Sequence, residues 1–144
     1  MAKIIALRGD SNRGKSKTLN IVYQHLLLFG YVQVPQYFGV LGNRDQYDFI
    51  DIVEKKGVKV GIVTMGDYQN GLQRKRKGSV ESMIDHLVGA GCDVVVCAVN
   101  SGLSRAISHI SSYPNEFVDK SVSFSDDEER IKNGEDAERI YKKI

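Results

Sequence analysis

Cysteine is scarce in this chain, and the two that occur, Cys92 and Cys97, lack the spacing of a metal-ligand pair. Cys97 sits inside an apolar run, so both read as reduced, buried thiols of a cytosolic protein. Long hydrophobic runs are missing as well. No apolar stretch approaches the roughly 18 residues of a membrane span, so no membrane partner is expected. The first strand starts at residue 3, so no secretory leader is expected and the location reads as cytoplasmic. Charge of one sign is also in short supply. Twenty Lys and Arg against eighteen Asp and Glu leave a net charge of +2, too small by itself to argue for nucleic acid or a membrane surface. The three histidines, His25, His86 and His109, are scattered over helical stretches with no ligand or nucleophile paired to them in sequence. They read as helix-surface or partly buried side chains rather than catalysts. With no repeat, low-complexity tract or linker, and with 42% hydrophobic residues, the 144 residues make one globular domain, 1–144.

Against these absences stands one strong local pattern. Gly9-Asp10-Ser11-Asn12-Arg13-Gly14-Lys15-Ser16 fits G-x-x-x-x-G-K-[ST], a phosphate-binding loop. Its four fixed positions arise by chance in roughly one chain of this length in a few hundred. Before it runs Lys3-Ile4-Ile5-Ala6-Leu7, a short apolar run that reads as a buried strand. After it, Lys15 to Phe29 reads as a helix closed by Gly30. Strand, glycine loop and helix N-terminus together make an anion site, because free backbone N–H groups and the helix dipole converge on the phosphates. Lys15 would reach the β- and γ-phosphates, Ser16 would be a Mg²⁺ ligand, and Gly9 and Gly14 permit torsions and close approach that a Cβ would obstruct.

On these residues the chain resembles the P-loop NTPase superfamily, and the Gly9-Asp10-Ser11 start is similar to the loop of small Ras-like GTPases. The resemblance is specific over about 25 residues. It implies a three-layer α/β fold with a mainly parallel central sheet, ATP and Mg²⁺ as cofactors, and nucleotide contacts along Gly9, Asp10, Ser11, Asn12, Arg13, Gly14, Lys15, Ser16 and Lys17. Two positions depart from the family pattern. Asn12 replaces a common glycine and tolerates left-handed torsions, and Arg13 occupies a normally small position, set either to point outward or to assist with phosphate charge. Asp10 stands where the partitioning ATPases carry an extra lysine.

Further along, Tyr31–Val34 and Tyr37–Leu41 are ambiguous pieces around Pro35. Asp48–Glu54 and Val58–Thr64 flank Lys55-Lys56-Gly57, a hairpin signal. Ser79 caps a helix with Val80, Met83, Ile84, Leu87 and Val88 on one face, closed by Gly89 and Gly91. Asp93–Val99 reads as a central strand, apolar on both faces. A helix over about Ser101–Ser111 ends before Pro114, Phe117–Phe124 alternates as a last strand, and Ser125-Asp126-Asp127-Glu128 is a capping box, with Gly134 a weak point in the helix it opens. Strands alternating with helices argue for a layered α/β fold, whose ligands gather at the carboxyl ends of the strands.

That rule selects Asp67, just beyond the strand ending at Thr64, as the carboxylate for Mg²⁺ or for orienting the nucleophile, with Lys15 its catalytic partner. A turn aspartate after Gly66 is the plainer reading of the same residue. Asp48 and Asp51 can approach a substrate from the hairpin or can be exposed strand positions. Arg74-Lys75-Arg76-Lys77 is either a lid or phosphate-contacting loop, led by Arg74 and Arg76, or a solvated turn. Arg105 is a further phosphate-contact candidate. No aromatics interleave the basic run, which disfavours single-stranded nucleic acid without excluding it.

The expected function is Mg²⁺-dependent ATP binding, with hydrolysis or kinase-like phosphoryl transfer to a small-molecule acceptor. A Ras-like GTPase switch is the alternative. Against it, Asp67 is followed by Tyr68-Gln69-Asn70, so D-x-x-G fails, and no N-K-x-D occurs to select guanine. A nucleotide-sensing or partner-binding module with little catalysis is the third reading, kept open because the strand ending at Val99 leads into Asn100 rather than an acid.

Overall fold

The computed structural model describes residues 2–10, 14–41, 48–67 and 79–144. Eleven elements follow in order: β1 (Lys3–Gly9), α1 (Lys15–Leu28), β2 (Val32–Gln33), β3 (Gly39–Leu41), β4 (Asp48–Lys55), β5 (Val58–Val63), α2 (Val80–Gly89), β6 (Val94–Asn100), α3 (Ser104–Ser111), β7 (Asn115–Asp119) and α4 (Asp126–Tyr141). All seven strands join one sheet in the order β2-β4-β5-β6-β1-β7, with β3 also paired to β4.

The sheet is mixed rather than mainly parallel. β5, β6, β1 and β7 run parallel, whereas β2, β3 and β4 are antiparallel additions on one side. The cause is local. Lys56 and Gly57 both hold positive φ, 51° and 81°, which makes the two-residue turn that returns a strand directly alongside its predecessor. The parallel half needs helical crossovers instead, and its strands are accordingly apolar on both faces. Ile4 and Ala6 of β1 point into a core with Met83, Ile84 and Leu87 of α2 and Ala106 and Ile110 of α3. Ile5 and Leu7 point the other way, into a core with Leu19, Val22 and Leu26 of α1 and Ala137 and Ile140 of α4.

Expected termini hold in most places. Gly30 has φ 98° just past α1, Ser79 accepts a hydrogen bond from Ser82 N in α2, and Ser125 accepts one from Glu128 N in α4, which runs unbroken through Gly134. The last strand does not. β7 stops at Asp119 instead of reaching Phe124, because Ser121 turns its backbone N–H and its hydroxyl onto Asp136 of α4. Phe124 is left 90% exposed.

Candidate functional site

β1 and β6 are adjacent and parallel, yet the helices that follow them, α1 and α3, pack on opposite faces. The crevice beyond their carboxyl ends is where ligands enter open α/β sheets. Gly9 of β1 is paired with Asn100 of β6 at this rim, and Ser101 N donates to Gly9 O at 3.0 Å. The Ser101 hydroxyl also reaches the Asp10 carboxylate, so the exit from β1 is tied to the exit from β6.

Gly14 sits at the N-cap of α1 with φ 82°, a left-handed torsion that favours glycine. No side chain caps this helix and its first turn carries no acid, in contrast to the serine caps of α2 and α4. The positive end of its dipole favours an anion. Lys15 is buried, and its Nζ donates to the main-chain oxygens of Gly9 at 3.0 Å and Asp10 at 2.7 Å. Burial pushes the ammonium pKa down, while the nearby charges of Asp67 and Asp10 pull it back up. Lys17 is exposed and lies 3.7 Å from Glu129.

Ser16 shows which carboxylate meets the loop. Its hydroxyl donates to Asp48 Oδ1 at 2.7 Å. Thr64 Oγ1 donates to the same oxygen at 2.9 Å and accepts from Phe49 N at 2.9 Å. Asp48 is only 5% exposed and Asp51 fully buried, so neither is a solvated strand position. Asp51 holds the Tyr23 hydroxyl at 2.7 Å and the Gln33 amide at 2.9 Å, and the Tyr23 pKa is pushed up to about 12, first by burial and then by Asp51.

Asp67 is placed differently. A Cβ on Gly66 would come within 2.5 Å of the Ala98 backbone, so only glycine lets the chain after β5 press against β6. Asn100 N then donates to Gly66 O at 2.8 Å, fixing Asp67 just beyond. Asp67 is exposed and acts on Lys15 through charge, and among the described residues no hydrogen bond joins it to Ser16. Arg105 is exposed near the start of α3. Ser11, Asn12, Arg13, Arg74 and Arg76 lie outside the described residues.

The flank toward α4 is tightly built. A Cβ on Gly9 would fall 2.8 Å from Lys120 Cβ, and one on Gly14 would fall 2.8 Å from both Asn133 Oδ1 and Glu129 Oε1. Thr18 Oγ1 lies 2.9 Å from Gly14 O and 3.2 Å from Asn133 Oδ1. Lys120 and Asp136 form a buried ion pair at 2.9 Å. A small cavity of about 230 Å³ lies beside Gly9, with Asp10, Ser101, Lys120 and Ser121 on its wall.

Sequence reasoning underweighted Asp48. The signal is present: two aspartates stand among the Phe, Ile and Val of β4, and a two-residue turn at 56–57 sets Asp48 just past the end of β5. The oxygen donors of Ser16, Asp48 and Thr64 suit a hard cation such as Mg²⁺, which commonly takes one or two carboxylates and completes its shell with phosphates and water. Among the described residues no group of three His, Cys, Asp or Glu could hold a metal. Comparison with protein-family models, curated proteins and solved structures finds no match to this chain.

Proposed function

We propose that the chain is a P-loop protein of three-layer type that binds ATP with Mg²⁺ and hydrolyses it or transfers its γ-phosphoryl group. The observation that carries this reading is the pairing of Lys15, bonded back across the loop to Gly9 and Asp10, with Ser16 bonded to a buried carboxylate. Lys15 would exchange those two carbonyls for the β- and γ-phosphate oxygens, charge-assisted bonds stronger than neutral ones. The uncapped start of α1 adds its N–H groups to the same anion. Ser16 and Asp48 would hold Mg²⁺, which when bound neutralises phosphate charge.

Asp67 is close enough in charge to Lys15 to orient water or an acceptor without touching Ser16. Helices on both faces of a sheet with a parallel half support the three-layer fold, the antiparallel hairpin being a variation at one side. Adenine is preferred to guanine because N-K-x-D is missing from the sequence. No helix among the described residues is long and apolar enough to cross a membrane, and a cytoplasmic location belongs to the same reading.

Equilibrium binding of Mg·ATP and Mg·GTP to wild type and Lys15→Ala tests it. Wild type is expected to prefer ATP. The variant should bind about thirtyfold more weakly, the loss of ~2 kcal/mol of hydrogen bonding to charged groups. Folded wild-type protein that binds neither nucleotide would overturn the reading. Phosphate release from the same samples separates a hydrolase from a binder.

A further inference from the structure

A cleft of about 500 Å³ opens beside Asp48, within the size range of small-molecule sites. α1 lines it with Asn20 and Tyr23, the β3 arm with Phe38 and Val40, and β4 with Asp48 and Phe49. Three aromatic rings meet there. Phe38 stacks on Phe49 with centroids 5.9 Å apart, and Tyr23 meets Phe49 edge-on at 4.8 Å. Tyr23 is held by Asp51, and Gln33 bonds both of them, so this wall is fixed before anything binds. Yet Phe38 is 55% exposed and Val40 66% exposed, leaving apolar surface in contact with water. Such surface inside a concavity marks a binding site more often than chance exposure does.

Charge and position narrow the ligand. Asp48 is the one charged residue in the described lining, so an anion is disfavoured and an uncharged ring suits the aromatic wall. Asp48 is also the residue bonded to Ser16, so a single side chain separates the cleft from the phosphate loop. We infer that this cleft is the acceptor site of a phosphoryl transfer and takes a small, uncharged molecule bearing a planar ring and a hydroxyl group. The inference rests on the ATP-binding reading above. The acceptor oxygen forms a bond to the γ-phosphorus of ATP, and the bond from that phosphorus to the β,γ-bridging oxygen breaks. ADP leaves with the bonding electron pair, and the hydroxyl proton is released to water.

The test uses guanosine, cytidine, thymidine and pyridoxine as probes. Each is titrated against wild type, Phe38→Ala and Phe38→Leu, with ATP affinity measured on the same proteins and transfer followed from γ-³²P-labelled ATP. Phe38 is exposed, and Phe38→Leu keeps its bulk while removing the ring, so folding is not at issue. At least one probe is expected to bind wild type, to bind both variants about tenfold more weakly, and to accept the label, with ATP affinity equal in all three proteins. ATP binding with no probe binding, or probe binding indifferent to Phe38, overturns the acceptor site and leaves the ATP reading standing. Probe binding that depends on Phe38 but yields no labelled product overturns the acceptor role. Failure of ATP itself to bind removes the underlying reading and this inference with it.

Discussion

The two ends of the glycine motif, Gly9 and Gly14 to Ser16, have two unlike flanks. Toward α4, Gly9 and Gly14 are so closely covered that a methyl group at either would come within 2.8 Å of a neighbour, and a buried Lys120–Asp136 pair locks the layer beneath. Toward the hairpin, Ser16 meets Asp48 and Thr64 at the edge of an open aromatic cleft. One flank fixes Gly9 and Gly14, and the other leaves room beside the oxygen atoms of Ser16, Asp48 and Thr64. Rigid elements supporting a less crowded site are what preorganised binding needs.

Breaking the α4 flank should have the largest effect. Lys120→Met leaves the buried Asp136 carboxylate with Arg139 and Ser121 but without its ammonium partner, and is expected to destabilise the fold by about 3 kcal/mol, read by denaturant unfolding. Nucleotide affinity, measured well below the transition, should change little if that flank only supports.

Acid should act on the same flank next. Burial by itself would raise the Asp136 pKa, but hydrogen bonds from Lys120, Ser121 and Arg139 prevail and hold it at about 2. The folded value lies below an ordinary aspartate's, so the stabilisation is fully present above about pH 4 and is lost as pH falls through about 2. It amounts to about 2 kcal/mol, and Asp136→Asn should flatten that part of the stability-against-pH curve.

Asp48→Asn sharpens the contrast from the other side. It should weaken Mg·ATP binding about tenfold, ~1.4 kcal/mol, while Asp67→Asn, lacking contact with Ser16, costs less. Equal losses for the two variants would remove the distinction drawn between them. The smallest effect is expected at the thiols. Burial pushes Cys92 up to about 11 and Cys97 up to about 12, so alkylation at neutral pH should be slow and leave nucleotide binding intact.

The fold was legible wherever one local rule decided it. The apolar runs of β1 and β6, the Lys56-Gly57 turn and the serine caps of α2 and α4 each carry their signal within a few residues. Alternation through Phe124 reads as a longer last strand, whereas Asp136, fifteen residues beyond Ser121, captures the backbone and ends β7 at Asp119. The hairpin is legible in Lys55-Lys56-Gly57, whereas the antiparallel pairing of β2 and β3 onto β4, which makes the sheet mixed rather than mainly parallel, carries no local signal. At the site, Lys15 and Ser16 are named by a motif, since phosphate binding constrains their spacing. Asp48 is named by none. Its contact with Ser16 spans 32 positions and exists only because hairpin register and α1 packing coincide.

The most direct test is the affinity of wild-type protein for ATP as Mg²⁺ is titrated, with Ser16→Ala alongside. Micromolar binding that tightens about tenfold or more with Mg²⁺, and a Mg²⁺ response that disappears in Ser16→Ala, is the predicted result. Folded protein that fails to bind ATP at millimolar concentration, or binds it equally with and without the cation, would contradict it.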